Sequence, residues 1–317
     1  RRLGEEFLDY VINPFVSGVF AGDPDDLSVK SAFPKLYRLE EVYGGLFKGM
    51  IKGAKERKKR AEKSKQEAKM FSFVNGMSVL PNSLSKLLNE ELFLNSTVTE
   101  IVKSDDIYQV YFKNDSDLQK IETKTILLTI PAHSTAELIR KLDPELFNHL
   151  STIYYPPVLV INVIYDRSKI FQELDGFGFL IPAKEKKTFL GAIWNSSIFP
   201  NRGDEKFASF TIFVGGARKE NLFENGVENL IPKVLSEFEE IMKIEGEAES
   251  IKYRFWEKAI PQYNLGYIEK EFAMEKFEKN NLGIFLGGNY RGGISVGDCI
   301  KNSKIHSERI LTFIHSG

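Results

Sequence analysis

The chain has little of what many active sites are built from. Its 317 residues include one cysteine, Cys299, so no internal disulfide can form and a reducing compartment is favoured. The four histidines, His133, His149, His306 and His315, stand apart from any cysteine or acidic cluster, and no metal site is readable. The longest apolar run, around Val158 to Tyr165, is less than half of the roughly 20 residues that a spanning helix requires. No positively charged stretch leads into an apolar one, so no signal peptide is visible. Charge is not one-sided either: 43 Lys and Arg face 44 Asp and Glu, a net of −1, which gives no reason to expect a nucleic-acid partner.

A further absence concerns glycine spacing. Dinucleotide sites commonly open with an N-terminal βαβ unit carrying Gly-x-Gly-x-x-Gly. Here the glycines spaced by two are Gly176 and Gly178, and position 181 is Ile181. What is present lies at the other end. Gly287-Gly288-Asn289-Tyr290-Arg291-Gly292-Gly293-Ile294-Ser295-Val296-Gly297-Asp298 follows a short apolar run, Leu282 to Leu286, and precedes a helical pattern through Ile300, Ile310, Leu311 and Ile314. A strand, a glycine-rich loop and a helix start together let backbone approach a large ligand. Glycine carries no Cβ to block the approach, and the helix start offers free N–H groups with partial positive charge. The pattern is that of the closing part of a nucleotide-binding enzyme whose opening part is absent.

The remaining chain reads as α+β. Phe7, Leu8, Val11 and Ile12 form a helical face that Pro14 is expected to break, and Asp26 or Ser28 can cap a helix through Phe33. Strands are expected at Met70–Val74, Leu92–Leu94, Val98–Val102, Tyr108–Phe112 and Thr125–Ile130, with Asn114-Asp115-Ser116-Asp117 as a hairpin turn. Further strands are expected at Val158–Tyr165, Gly178–Ile181, Phe189–Trp194, Phe207–Val214 and Ile251–Trp256, with an amphipathic helix over Asn229–Ile241. Lys48 to Lys69 holds ten basic residues against three Glu. That stretch could meet anionic lipid; a solvated helical face or disordered excursion is the simpler alternative.

Gly293-Ile294-Ser295-Val296-Gly297 also matches Gly-x-Ser-x-Gly, the nucleophile elbow of α/β-hydrolases. That fold needs its acid and then its histidine after the serine, and only 22 residues follow Ser295. The hydrolase is rejected.

Gly283 to Gly297 resembles the C-terminal FAD-binding signature of oxygen-dependent protoporphyrinogen oxidases, within the flavin-dependent amine oxidase superfamily. Pro14–Asp23, Ala32–Glu40, Gly76–Pro81, Leu94–Ile101, Gly176–Pro182 and Ala259–Tyr263 resemble other segments of the same family, in order. The resemblance implies an incomplete FAD-binding α/β domain, its N-terminal βαβ unit absent, plus a substrate-binding domain with a mixed or antiparallel sheet and helices. It implies domains at 1–70 (helical, substrate and membrane side), 71–134 (FAD, middle), 135–281 (substrate, with sheet) and 282–317 (FAD, closing strand and helix).

The implied reaction is six-electron oxidation of protoporphyrinogen IX to protoporphyrin IX, with hydride passing to FAD and oxygen ending as hydrogen peroxide. Because the flavin carries the difficult step, no catalytic side chain is required. By position in the motifs, Leu180 and Trp194 would line the substrate pocket, with sheet core as the alternative for both. Phe177 and Phe199 are expected in the core. Val98 would pack near the adenine ribose, and Gly288, Asn289, Ser295 and Val296 would meet FAD through backbone N–H groups. Implied partners are a porphyrinogen, molecular oxygen, a membrane's inner face touched peripherally from the cytoplasm, and a second copy in a homodimer. An N-terminally incomplete chain is expected to be inactive alone and to hold FAD poorly. Alternatives are coproporphyrinogen III as substrate, a non-catalytic tetrapyrrole-binding fragment, and, less well matched, an amine oxidase.

Overall fold

The computed structural model describes residues 4–45, 48–49, 51–52, 71–115, 117–200 and 203–316. Among them run ten strands: β1 (Ser96–Ser104), β2 (Ile107–Asn114), β3 (Asp117–Thr123), β4 (Ile126–Leu128), β5 (Val158–Asp166), β6 (Gly178–Leu180), β7 (Phe189–Trp194), β8 (Phe207–Gly215), β9 (Ser250–Trp256) and β10 (Ile284–Leu286). Two compact units divide them. One joins Arg1–Leu27 to Tyr154–Gln262, the other Ser28–Ile153 to Tyr263–Gly317. The breaks fall after 27, 153 and 262, where the expected domains broke after 70, 134 and 281. The helices Ala132–Ile139 and Pro144–Ser151 account for one difference. They bury Ala132, Ala136, Ile139, Leu146 and Leu150, and pack with each other, with β1 and with the helix Tyr267–Asn280.

The first unit is built on a five-stranded sheet in the order β6-β7-β8-β5-β9, antiparallel throughout. Alternation decides its faces. Leu159, Ile161, Val163 and Tyr165 of β5 point to one side with Ala208, Phe210, Ile212 and Val214 of β8. The helix Val227–Met242 covers that side with Leu230, Ile231, Val234, Leu235, Phe238 and Met242. Phe238 sits at the centre, its ring 5.1 Å from Phe210 and 6.4 Å from Phe179. The expected strands and helix of this region all appear.

Pro14 does not end the first helix. Helical segments Glu5–Phe7, Leu8–Ile12 and Asn13–Phe20 follow without a gap, and the middle one is a π turn in which the Asn13 N–H donates to the Leu8 carbonyl. Proline has no N–H for the carbonyl four residues back, and its ring needs room there. The wider π turn supplies it.

The second unit holds an antiparallel sheet β1-β2-β3 and a parallel pair, β4 with β10. Ser28 caps the helix Val29–Ala32, accepting from the Ser31 N–H at 3.3 Å. Phe71–Val74 and Leu92–Leu94 are coil and turn, so among the described residues the strands expected there are absent, Met70 lying outside them; Phe71 and Leu94 are exposed. The turn at Asp115 leads into β3, a strand that the sequence pattern does not announce. The basic stretch 48–69 lies almost wholly outside the described residues, as does Ser116. No helix among the described residues is long and apolar enough to cross a membrane.

Candidate active site

Ile284, Phe285 and Leu286 are all buried, and each pairs in parallel with Ile126, Leu127 or Leu128. The Gly287 N–H donates to the Leu128 carbonyl at 2.8 Å, and there the pairing stops. At Gly288 the chain turns with φ +103°, and a Cβ would stand 3.0 Å from the Thr129 carbonyl oxygen. Gly293 has φ +130°, and a Cβ would meet Asp298 at 2.7 Å. Neither position accepts a side chain without strain. The glycines are therefore required by the loop's own shape, whatever binds it.

Side chains from three directions hold this loop. The Tyr263 hydroxyl donates to the Asn289 carbonyl at 2.9 Å and accepts from the Gly293 N–H at 3.0 Å. The Tyr267 hydroxyl donates to the Tyr290 carbonyl, and Asn302 Nδ2 to the Arg291 carbonyl at 3.0 Å. Arg291 folds back on β10, with Nη1 donating to the Leu286 carbonyl at 2.9 Å and to Glu278 Oε1 at 2.5 Å. Glu278 also accepts from the Leu286 N–H at 2.7 Å and from Arg309 Nη2 at 2.7 Å. One buried carboxylate thus ties the loop, the strand before it and the helix after it. Burial works to raise the Glu278 pKa, but the hydrogen bonds and charges of Arg291 and Arg309, with the Leu286 N–H, hold it below the ordinary carboxylate value. His306, against Gly287, is shifted down by burial and by the same two arginines.

The helix Val296–Ser316 begins at the loop's end. Ser295 caps it: its hydroxyl accepts from the Asp298 N–H at 3.1 Å and donates to Asp298 Oδ2 at 2.6 Å. The N–H groups of Val296 and Gly297 precede the first helical bond, from Cys299 to the Ser295 carbonyl. Ser295, Val296 and Gly297 are exposed, while Gly288 and Asn289 are half-buried. The structure thus brings four expected site residues, Gly288, Asn289, Ser295 and Val296, into one loop and helix start. Ser295 Oγ is occupied by Asp298 rather than a histidine, consistent with the rejected elbow. Val98 lies on the other sheet of this unit, half exposed, opposite Phe112 at a β-bulge between Val98 and Glu100.

Leu180 and Trp194 lie on opposite faces of the sheet. Leu180 pairs with Gly191, and Phe179 with Ala192, so Trp194, two residues beyond Ala192, takes the helix-covered side. There its ring lies 6.5 Å from Phe179, and it is a core residue. This is the core alternative given for Trp194 above. Leu180 stands on the opposite face, between two glycines. A Cβ on Gly18 would fall 2.3 Å from Leu180 Cδ2, and one on Gly191 3.0 Å from the same atom. Phe177 is exposed rather than core, since it precedes β6 and leaves the sheet's packed side.

Two residues to which the sequence did not point join Leu180 on its face. Cross-strand register runs Leu180–Gly191–Phe213–Val160–Arg254 in one row. The adjacent row is Gly178–Ile193–Thr211–Asn162–Lys252. Phe213 and Ile193 therefore flank Leu180, and both are half-buried. Beside them Asn195 Nδ2 donates to Thr211 Oγ1 at 2.8 Å, which donates to Asn162 Oδ1 at 2.9 Å. Period-two counting from the core residues of β8 would have marked Phe213, had the register been known.

Residues 1–311 match the family model described as flavin containing amine oxidoreductase. The chain is 32% identical, over its whole length, to protoporphyrinogen oxidase 2, chloroplastic/mitochondrial, of Arabidopsis thaliana, and spans 66% of that protein. It is 24% identical to coproporphyrinogen III oxidase of Bacillus subtilis (strain 168), across 100% of this chain and 67% of the relative. A crystal structure of a protein from Exiguobacterium sp. 255-15 has the same fold, with a TM-score of 0.76, 22% identity, and coverage of 98% of this chain and 64% of that one. The chain thus spans about two thirds of the length of the proteins it matches.

Proposed function

The chain belongs to the flavin-containing amine oxidoreductase family, and from that premise we propose that it serves FAD-dependent oxidation of protoporphyrinogen IX to protoporphyrin IX in haem biosynthesis, with oxygen as final acceptor. The observation that carries this is the 32% identity, over 100% of this chain, to a relative named protoporphyrinogen oxidase.

The residues present suit a flavin dinucleotide. Gly288 and Gly293 keep backbone bare where a Cβ would strain the loop, and Val296 and Gly297 offer N–H groups at a helix start. We assign Gly288, Asn289, Ser295 and Val296 to FAD contact through backbone, and Val98 to the adenine ribose end. When bound, FAD supplies the hydride acceptor, and three rounds remove six electrons from the porphyrinogen while three O2 become three H2O2.

This chain's own part is binding and exclusion of water. Leu180, Ile193 and Phe213 form an apolar wall for a flat macrocycle, and the Glu278 carboxylate keeps the loop's backbone aimed. Neither task needs a nucleophile or a titrating base.

The match to a coproporphyrinogen III oxidase favours one second reading, the same oxidation of a substrate with more carboxylates. Porphyrin fluorescence appearing from each porphyrinogen, assayed with the full-length protein, separates them. Protoporphyrinogen is expected to be oxidised faster; oxidation of an amine with neither porphyrinogen consumed would refute both.

A further inference from the structure

Against the helix Asn13–Phe20 lies a cavity of about 180 Å³, bounded also by the chain after β6, by β7 and by the turn 215–219 that follows β8. It is wholly within the first unit. Drug-sized ligands occupy sites of roughly 300–1,000 Å³, so a tetrapyrrole does not fit here. Asn13 lines the cavity and is 9% exposed, yet among the described residues neither its Oδ1 nor its Nδ2 makes a hydrogen bond. Buried amides are nearly always paired, because burial strips their water without replacing it. The Ser17 hydroxyl, one turn along the same helix, also lacks a partner among the described residues. Lys219, from the turn, completes the polar lining. Its ammonium donates to the Lys187 carbonyl at 2.5 Å, and among the described residues no carboxylate stands within ion-pair distance of it. Glu237 attracts it from farther off, but both oxygens of that carboxylate are taken by Thr188. Arg218 is different, since Asp23 and Asp25 neutralise it at 2.7 and 3.3 Å. Ile181, Ala183 and Leu190 supply an apolar side.

We infer that this cavity is a binding site for a short aliphatic carboxylate, held by Asn13, Ser17 and Lys219. At about 30 Å³ for each water-sized group, 180 Å³ takes roughly six non-hydrogen atoms, the size of butyrate. The Lys219 ammonium meets the carboxylate and regains the counter-charge that burial denies it. Ser17 Oγ and Asn13 Nδ2 donate to the same group, and the alkyl chain lies on Ile181 and Leu190. Inorganic phosphate suits the cavity less. A dianion needs more donors, and Ile181, Ala183 and Leu190 offer it none. Because the ligand ties the helix to the turn after β8, its binding stabilises the first unit. None of these contacts requires porphyrinogen turnover.

The test is calorimetric titration of the full chain with butyrate, with butyramide as the uncharged isostere and inorganic phosphate as the rival anion. Wild type should bind butyrate saturably, roughly tenfold or more tightly than butyramide, and its thermal midpoint should rise with butyrate concentration. Lys219→Met removes the charge at similar length. It should weaken butyrate roughly tenfold or more and leave butyramide unchanged. Ser17→Ala keeps a good helix former and should weaken butyrate roughly threefold. Lys252→Gln, a charge removed from the β9 edge, should bind like wild type. If Lys219→Met does not fold, Ser17→Ala and the butyrate–butyramide comparison decide. No saturable butyrate binding by wild type, equal affinity for butyrate and butyramide, tighter binding of phosphate, or wild-type affinity in both Lys219→Met and Ser17→Ala would each overturn the inference. Porphyrinogen oxidation by the full-length protein is unaffected by any of these results.

Discussion

Replacing Glu278 by Gln tests the central packing claim, that one buried carboxylate holds the glycine loop. The Glu278 side chain is 7% exposed and that of Arg291 18%, so water cannot compensate either for loss of its partner. Arg309 is 40% exposed and rehydrates more easily. Removing one charge from a buried pair costs about 3–5 kcal/mol, and the partial exposure of Arg309 puts this case near the lower end, about 3 kcal/mol. Glu278 titrates below its unfolded value. Its contribution is therefore complete above the unfolded carboxylate pKa and is lost as pH falls through the lower, folded one. Urea unfolding followed by far-UV circular dichroism measures this directly. The gap between wild type and Glu278→Gln should be constant from pH 7 down to about 5 and close progressively below about 4.3. Amide hydrogen exchange should quicken in Gly287–Ser295 at the same time. A variant within about 0.5 kcal/mol of wild type at pH 7 would refute the reasoning. So would a gap that widens on acidification.

Three further outcomes follow from the same geometry. Trp194→Ala should cost about 3–5 kcal/mol in a urea melt because it empties a core site, whereas the half-exposed Leu180→Ala should leave the melt nearly unchanged and raise KM for the porphyrinogen; the reverse pattern would exchange their assigned faces. Gly288→Ala forces a side chain into φ +103° against the Thr129 carbonyl. It should cost about 1–3 kcal/mol and lower the flavin absorbance retained per protein; full retention would show that the loop tolerates a Cβ. Ser295→Ala loses the helix cap and should destabilise by about 1 kcal/mol while porphyrinogen oxidation persists, and loss of an esterase activity instead would revive the hydrolase.

The sheet strands were legible for two reasons: β5 is a continuous apolar run, and β8 is a short apolar-rich segment whose buried and half-buried residues alternate. β3 was not, since Asp117 to Glu122 are all exposed and carry no alternation to detect. Pro14 misled for a different reason: a proline ends a regular helix, but a π turn beside it removes the conflict, and that turn is a property of the backbone. The loop's glycines and the serine cap were readable from local chemistry alone. Glu278 was not, because its partners Leu286, Arg291 and Arg309 become a group only when strand, loop and two helices meet.

Composition and local pattern by themselves determined the α+β class, the helix-capping serine and the place where backbone is bare enough to meet a large ligand. These depend on residues near one another in the chain. Which face each strand shows was decided only in three dimensions. In β7, buried almost throughout, no alternation says where Trp194 points, and pairing with β6 and β8 fixes it against the helix. The same register sets Leu180, Phe213 and Arg254 in one row across five strands. A row of that kind exists only after hydrogen bonding has aligned segments that are more than 70 residues apart from first to last.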